Sequence, residues 1–230
     1  MKHIAIILAG GIGNRVGGSM PKQFLPLADS RSIIEHAIDA FDAASFIDEI
    51  AIVMHPDYMD MADKLCQTNS WKKVKHIIPG GNERWESSYN AIKEYATSLS
   101  PSATASSPFI WLHDAARPFV SERILSDIAA ALESYQAVTV AVPVTDTLYR
   151  MHPDAAELAE IPSRSLYMRA QTPQAFRLDI ILKAYQRALS SGSIAATDDC
   201  CILHKYMPEI PIHIVQGDES NRKITFKEDL

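Results

Sequence analysis

The sequence has few cysteines, no long apolar run and no excess of positive charge. Its 230 residues include only 3 cysteines, Cys66, Cys200 and Cys201, of which two are adjacent. An odd number with this spacing fits neither a disulfide framework nor a metal-binding pair, so we expect free thiols in the reducing environment of the cytoplasm. No apolar segment approaches the ~18 residues of a membrane span. We therefore expect a cytoplasmic protein with no membrane partner.

The charge balance further narrows the choice of partners. The chain carries 22 Lys+Arg against 28 Asp+Glu, a formal net charge of −6, which argues against nucleic acid as a partner. Hydrophobic residues make up 47% and charged residues 22%, as is ordinary for a folded globular chain. We predict a single domain over residues 1–230. An anionic ligand must then be met by a local group of Arg and Lys side chains.

The glycine-rich start of the chain lacks the fingerprints of the common nucleotide-binding loops. Gly10 and Gly11 follow a short β-branched run, which predicts a buried strand entering a tight loop. A dinucleotide motif G-x-G-x-x-G beginning at Gly11 would need glycine where Val16 stands, and no G-K-[ST] closes a P-loop. The glycines alone fit a plain strand-to-helix turn. Because Arg15 and Lys22 follow them, the pattern favours a nucleoside triphosphate.

Strand and helix patterns alternate along the rest of the chain. Apolar runs predict strands at 4–9, Glu49–Met54, Val74–Ile78, Phe109–Leu112, Ala137–Val142 and Ile210–Val215. Helical spacing predicts helices at Ser32–Phe41, Met59–Leu65, Trp85–Ala96, Glu122–Ser134, Leu178–Leu189 and Asp198–His204. This alternation predicts an α/β fold, a Rossmann-like three-layer sandwich with a mostly parallel sheet.

Residues from about 145 to 166 interrupt this alternation. Only Ala155–Ala159 resembles a helix there. A connection of this length without a clear element of its own is usually functional, as a lid or a protruding arm. On the residues alone, a solvent-exposed loop fits equally well.

Polar residues follow three of the predicted strands. They are Gly10 to Lys22, Gly80 to Arg84, and Asp114 to Arg117. Ligands in such folds bind at the carboxyl ends of parallel strands, so we predict one shared site. Taken alone, Ser87 also fits an exposed helix serine, and Asp114 a helix cap or an ion pair with Arg117.

Six motifs occur in one order along the whole chain. They are Leu8-Ala9-Gly10-Gly11-x-Gly13-x-Arg15, Met20-Pro21-Lys22-Gln23-Phe24-Leu25-Pro26-Leu27, Gly80-Gly81-x-x-Arg84, His113-Asp114-Ala115-Ala116-Arg117-Pro118, Gln171-Thr172-Pro173-Gln174-Ala175-Phe176 and Thr197-Asp198-Asp199. Together they closely resemble the 2-C-methyl-D-erythritol 4-phosphate cytidylyltransferases of the non-mevalonate isoprenoid pathway. Ribitol-5-phosphate cytidylyltransferases share the same set, so the acceptor stays open. The resemblance implies a nucleotidyltransferase that joins CTP to a polyol phosphate, releases pyrophosphate and uses Mg²⁺ or another divalent cation.

The resemblance also implies a role for each matching position. Arg15 and Lys22 would be the catalytic cations on the triphosphate. The nucleotide-binding positions would be Ala9, Gly10, Gly11, Gly81, Asn82, Arg84, Ser87 and Ala115. The acceptor-binding positions would be Asp114, Arg117, Thr147, Arg164, Thr172, Thr197 and Lys223. No dedicated protein ligands for the metal are implied, since Mg²⁺ is expected mainly through the phosphates.

Two further expectations come from the same resemblance. The arm at about 145–166 would reach across a homodimer interface, so that Thr147 and Arg164 complete the neighbouring subunit's site. A non-catalytic, nucleotide-sensing homologue is the alternative of another class. Such a protein would be expected to lack Arg15 or Lys22, and this chain has both.

Overall fold

The computed structural model of the protein describes residues 1–11, 20–99, 107–192 and 194–229. Its strands are β1 (His3–Ala9), β2 (Glu49–Met54), β3 (Val74–Pro79), β4 (Phe109–Asp114), β5 (Ala137–Pro143), β6 (Arg150–Met151), β7 (Leu158–Glu160), β8 (Met168–Arg177) and β9 (His213–Gln216). Its α-helices are α1 (Ile33–Ala43), α2 (Met59–Asn69), α3 (Arg84–Ser98), α4 (Glu122–Ala131), α5 (Leu178–Ser190) and α6 (Asp199–Tyr206). None of the helices in these ranges is long and apolar enough to cross a membrane.

The described strands form a seven-stranded sheet in the order β3-β2-β1-β4-β8-β5-β9. Strands β1 to β4 pair in parallel, β5 and β9 do the same, and β8 runs antiparallel between β4 and β5. Helices cover both faces of this sheet, as the two core clusters show. The predicted Rossmann-like, mostly parallel α/β fold is therefore confirmed.

Strand β1 shows how the sequence builds this core. Every residue from Ile4 to Ala9 is buried, because the strand lies inside the sheet and helices cover both of its faces. Its side chains alternate between a cluster that includes α1 and α4 and a cluster that includes α3 and α5. Burying each isoleucine contributes roughly 1.5–3 kcal/mol relative to an exposed one. The apolar run thus fixes the strand at the centre of the molecule.

Strand β8 is the element that the sequence analysis did not predict. It carries Arg169, Gln171 and Gln174 together with Pro173, a composition unlike the apolar runs of the other central strands. From Gln171 to Phe176 it is nevertheless buried between β4 and β5. Its buried glutamines find hydrogen-bond partners in tertiary contacts, which a local pattern does not reveal.

The segment at 145–166 forms a small unit outside the main sheet. Strands β6 and β7 pair with each other here, so the expectation of a helical Ala155–Ala159 patch is wrong. Other predicted boundaries also shift: α4 ends at Ala131, β9 begins at His213, and β4 extends through Asp114. The extension of β4 matters for function because it fixes Asp114 at the strand's carboxyl end.

Candidate active site

A cavity of about 590 Å³ opens at the carboxyl ends of β1, β3 and β4. Its lining comprises Leu8, Ala9, Gly10, Gly11, Lys22, Gln23, Gly81, Asn82, Glu83, Arg84, Ser87, Asp114, Ala115, Ala116, Lys223 and Thr225. The three predicted polar groups therefore meet in one place. All eight predicted nucleotide-binding residues line this cavity, with Lys22, Asp114 and Lys223.

Glycines allow the ends of β1 and β3 to approach each other around Ser87. A Cβ on Gly10 would lie 3.1 Å from the Ser87 Oγ, and one on Gly80 would lie 3.0 Å from the same atom. The Ser87 hydroxyl accepts a hydrogen bond from the Gly81 N–H at 3.1 Å. Ser87 is buried, so its interpretation as an exposed helix serine is wrong. Because glycines stand at this close approach, backbone groups line this part of the cavity.

Glu86 holds the turn that precedes α3. Its Oε2 accepts from the Asn82 N–H at 2.6 Å and from the Glu83 N–H at 3.3 Å. A Cβ on Gly81 would lie only 2.2 Å from the Cβ of Glu86, so glycine is required there. Sequence reasoning gave Glu86 no role. The sequence signal for this role of Glu86 is a capping box, with Glu83 at the N-cap of α3 and Glu86 three residues later.

Asp114, at the carboxyl end of β4, is the centre of a charged cluster in the same cavity. Its Oδ1 accepts from Arg84 Nε at 3.0 Å and its Oδ2 from Lys223 Nζ at 2.7 Å. Burial alone would raise the pKa of Asp114, but the charges of Arg84 and Lys223 outweigh it and hold that pKa well below its usual range. Asp114 therefore forms its ion pairs with Arg84 and Lys223.

Asp199 anchors the other end of Arg84. Arg84 Nη1 donates to Asp199 Oδ2 at 2.7 Å, and the Tyr185 hydroxyl donates to Asp199 Oδ1 at 2.6 Å. Burial would lower the pKa of Arg84, yet the carboxylates of Asp199 and Asp114 raise it above its ordinary value. Sequence reasoning did not give Asp199 or Tyr185 a role, although Asp199 lay in one of the six motifs.

Behind Asp114, a buried hydrogen-bond chain joins β4 to β8. The Asp114 N–H donates to Thr172 Oγ1 at 3.1 Å, and that hydroxyl lies 3.1 Å from His113 Nδ1. His113 Nε2 lies 2.9 Å from the Arg117 carbonyl oxygen, an acceptor, so the ring carries its proton on Nε2 and Thr172 donates to Nδ1. Burial lowers the pKa of His113 to about 4, so the ring is neutral at pH 7.

Two contacts tie the segment that carries Lys223 to the rest of the site. Arg117 Nη1 donates to the Asn221 carbonyl oxygen at 2.7 Å. Lys22 Nζ donates to the Ile224 carbonyl oxygen at 2.7 Å, so the lysine of the first loop lies beside the last segment of the site. The other predicted catalytic cation, Arg15, lies outside the described residues.

Five predicted acceptor-binding residues are absent from the described lining of the cavity. Thr172 and Arg117 lie behind Asp114, as the contacts above show. Thr197 is exposed, with its Oγ1 3.4 Å from Cys201 Sγ. Thr147 and Arg164 are exposed on the 145–166 segment, where the Arg164 guanidinium donates to the Thr145 carbonyl oxygen. Their roles stay predictions.

The family profile described as IspD, 2-C-methyl-D-erythritol 4-phosphate cytidylyltransferase, matches residues 3–230. The chain belongs to this cytidylyltransferase family. A curated relative bearing that name, from Thermobifida fusca (strain YX), is 40% identical over 98% of this chain and 89% of its own length. Another from Bifidobacterium longum subsp. infantis is 34% identical over 99% of this chain and 77% of the relative.

Two other matches extend the comparison. A solved structure from Anaerococcus prevotii, described as a 4-diphosphocytidyl-2C-methyl-D-erythritol synthase, has a TM-score of 0.83 at 27% identity, covering 99% of this chain and 92% of that one. The Haemophilus influenzae protein described as a bifunctional ribulose 5-phosphate reductase/CDP-ribitol pyrophosphorylase is 39% identical over 100% of this chain. The present chain spans 47% of that relative's length.

Two positions depart from the pattern expected of the cytidylyltransferase family. The resemblance implies an aspartate where Asn82 stands, and the contact of this residue with Glu86 is made by its backbone N–H. Arg222 stands where an apolar residue is usual, and it is exposed beside Lys223. Neither departure breaks a contact described above.

Proposed function

We propose that this protein transfers the cytidylyl group of CTP to 2-C-methyl-D-erythritol 4-phosphate, releasing pyrophosphate. One observation carries the proposal: in a member of this family, the glycine turns, Lys22 and the Asp114–Lys223 pair meet in one cavity. The whole chain has a net charge of −6, so an anionic substrate depends on the basic groups that are gathered in this cavity. The proposal includes a cytoplasmic location, in line with the three free cysteines.

The chemistry requires charge stabilisation more than proton transfer. An oxygen of the acceptor phosphate, anionic at neutral pH, forms a bond to the α-phosphorus of CTP while the bond from that phosphorus to the pyrophosphate oxygen breaks. The protein must bring two polyanions together and stabilise the charge that grows on the leaving group. Lys22 and Arg15 would supply that stabilisation at the triphosphate. The neutral His113, buried behind Asp114, is not needed as a base.

The two walls of the cavity divide the recognition of substrates in this proposal. Gly81, Asn82 and Ser87 would surround the cytidine, since the buried Ser87 hydroxyl and nearby backbone groups lie on the α3 side. Asp114 and Lys223 would meet the acceptor on the opposite side. Arg117 and Thr172 would act from behind by fixing the backbone on which these two residues lie.

Mg²⁺ is proposed as the metal, held mainly by phosphate oxygens. No group of three His, Cys, Asp or Glu side chains within the described ranges is arranged to hold a metal ion. Asp114, one of the two acidic residues in the described lining, is already paired with Arg84 and Lys223. A bound Mg²⁺ would neutralise charge on the triphosphate. The residues of the cavity therefore fit a metal ion that binds together with the nucleotide.

A homodimer formed through the 145–166 segment is also proposed. Large apolar side chains are exposed there, with Leu166 82% exposed, Tyr149 63% and Ile161 58%. A concentration of exposed apolar side chains on one projecting unit is typical of an interaction surface. Thr147 and Arg164 on the same segment would then reach the partner's acceptor site.

The second candidate acceptor is ribitol 5-phosphate. The CDP-ribitol pyrophosphorylase relative is 39% identical to this chain, almost the same as the 40% of the first methylerythritol relative. The contacts at Asp114 and Lys223 involve a carboxylate and an ammonium group, which suit the hydroxyls and phosphate of either polyol. Only a comparison of acceptors separates the two.

Pyrophosphate release is the deciding assay. The protein is incubated with CTP and Mg²⁺ and with 2-C-methyl-D-erythritol 4-phosphate, ribitol 5-phosphate or no acceptor. We expect release with the methylerythritol phosphate, and much slower release when UTP or ATP replaces CTP. Release with ribitol 5-phosphate alone would establish the second candidate. CTP binding without release for any acceptor would indicate the non-catalytic alternative.

The role of Lys22 has its own test. Lys22→Ala should lower kcat by roughly 10²- to 10³-fold, the usual effect of losing one group that stabilises transition-state charge. Lys72→Ala removes the same charge from an exposed position before β3, at the far edge of the sheet, and should leave kcat unchanged. Full activity of Lys22→Ala would refute the mechanism.

A further inference from the structure

A chain of polar contacts leads from the buried Tyr185 and Asp199 to the exposed Lys223 at the acceptor end of the cavity. It runs from the Tyr185 hydroxyl to Asp199 (2.6 Å), from Asp199 to Arg84 (2.7 Å), from Arg84 to Asp114 (3.0 Å), and from Asp114 to Lys223 (2.7 Å). We propose that Asp199 is a positioning residue that acts through Arg84 to orient Asp114 and Lys223 toward the acceptor phosphate. The inference rests on the proposed function.

The burial of Asp199 shows that its position is fixed. Its side chain is 0% exposed, and its backbone N–H donates to the Gln174 side chain at 3.1 Å. Both carboxylate oxygens are used, one by Tyr185 and the other by Arg84. A buried carboxylate is costly unless it is paired and hydrogen-bonded, so Arg84 is strongly held in this arrangement.

Arg84 links the fixed position of Asp199 to the orientation of Asp114, because its guanidinium group is planar and rigid. Its Nη1 faces Asp199 while its Nε faces Asp114, so two carboxylates fix the group from different edges. The third nitrogen, Nη2, is buried and has no hydrogen-bond partner in the part of the chain that the structure describes. Without Asp199, the one described side chain still holding Arg84 would be Asp114, the residue that Arg84 is meant to orient.

The consequence should be larger for the acceptor than for CTP, because Arg84 is only one of the eight predicted nucleotide-binding residues in the cavity. Asp114 and Lys223 lie at the end of the chain of contacts, so they lose their fixed orientation when Arg84 is released. The hydrogen bond from the Gly81 N–H to the Ser87 hydroxyl involves neither Asp199 nor Tyr185. A general loss of structure would instead weaken the binding of CTP and of the acceptor to a similar extent.

The test compares Asp199→Asn with the wild-type protein. Asparagine keeps the shape and can still accept from Arg84, but it removes the charge. We expect kcat/KM for the acceptor to fall by about 10- to 100-fold, as is usual when a supporting residue is lost. The Kd of CTP with Mg²⁺, measured by calorimetry, should change by less than about threefold. An unchanged acceptor kcat/KM, or an equal loss of CTP affinity, would overturn the inference.

Asp198→Asn is the matched control. Asp198 is the adjacent carboxylate, and its side chain contacts the Cys201 N–H and Gln174 rather than Arg84. The Asp198→Asn substitution should leave kcat/KM for the acceptor unchanged. Equal effects of both variants would show that the cause is helix α6 and would overturn the inference. Tyr185→Phe removes only the hydroxyl and should raise the acceptor KM by about threefold, so it decides the question if Asp199→Asn does not fold.

Failure of the proposed function has a different signature. It would appear as a wild-type protein that releases no pyrophosphate with any acceptor. Failure of the present inference requires an active wild type and an Asp199→Asn variant with unaltered acceptor kinetics.

Discussion

Protonation of His113 should control how the stability of this protein depends on pH. The ring is fully buried, hydrogen-bonded to Thr172 and to the Arg117 carbonyl oxygen, and burial lowers its pKa to about 4. In the unfolded chain a histidine has a pKa of about 6.5. Between these two values the unfolded state binds a proton that the folded state does not. Stability therefore falls as the pH falls from about 6.5 toward 4.

The size of the effect follows from the two pKa values of His113. Each pKa unit corresponds to about 1.4 kcal/mol, so the free energy of unfolding should decrease by about 3 kcal/mol by pH 4. Below pH 4 the folded state takes up the proton as well and this contribution levels off. A loss of about 3 kcal/mol is a large part of the 5–15 kcal/mol that typically separates folded from unfolded domains.

The assay is urea unfolding of the wild type and His113→Gln at several pH values from 7.5 to 4. Glutamine stays neutral, so the difference between the two proteins should shrink by about 3 kcal/mol over this range. Taking the difference cancels other titrating groups, including His3 and the carboxylates. His204→Gln, at an exposed position on α6, is the control and should give a small difference throughout. A His113→Gln difference independent of pH would refute the reasoning.

Two further substitutions test the geometry of the turn and the arm. Gly81→Ala places a methyl group 2.2 Å from the Cβ of Glu86 and should lower the free energy of unfolding by about 1–3 kcal/mol. Gly11→Ala, whose methyl meets none of the described residues within 4 Å, should have a much smaller effect in the same urea titration. Leu166→Asp should shift the protein toward monomer in sedimentation velocity, because it charges the most exposed large apolar side chain of the 145–166 segment. Leu189→Asp, on the exposed end of α5, should not, and an unchanged sedimentation coefficient for Leu166→Asp would contradict the proposed interface.

The sequence by itself determined the strands and helices whose signals are local. The apolar run of β1 appears in the structure as predicted, and helix α1 lies within two residues of its predicted bounds. The same holds for the glycine turns, since a close approach of backbones needs glycine whatever surrounds it. Because parallel strands bring their carboxyl ends together, these local signals were enough to predict where the cavity would lie.

Only the tertiary structure decided which polar groups act on one another. Arg84 meets Asp199 across 115 residues of sequence, and Lys22 meets the Ile224 carbonyl oxygen across 202. Strand β8 forms because its polar side chains find partners in β4, β5 and the segments beside them, although its own sequence has no clear strand pattern. Hydrogen bonds and ion pairs over such separations depend on the folded arrangement of the whole sheet. The order of residues along the sequence therefore does not predict which of them pair.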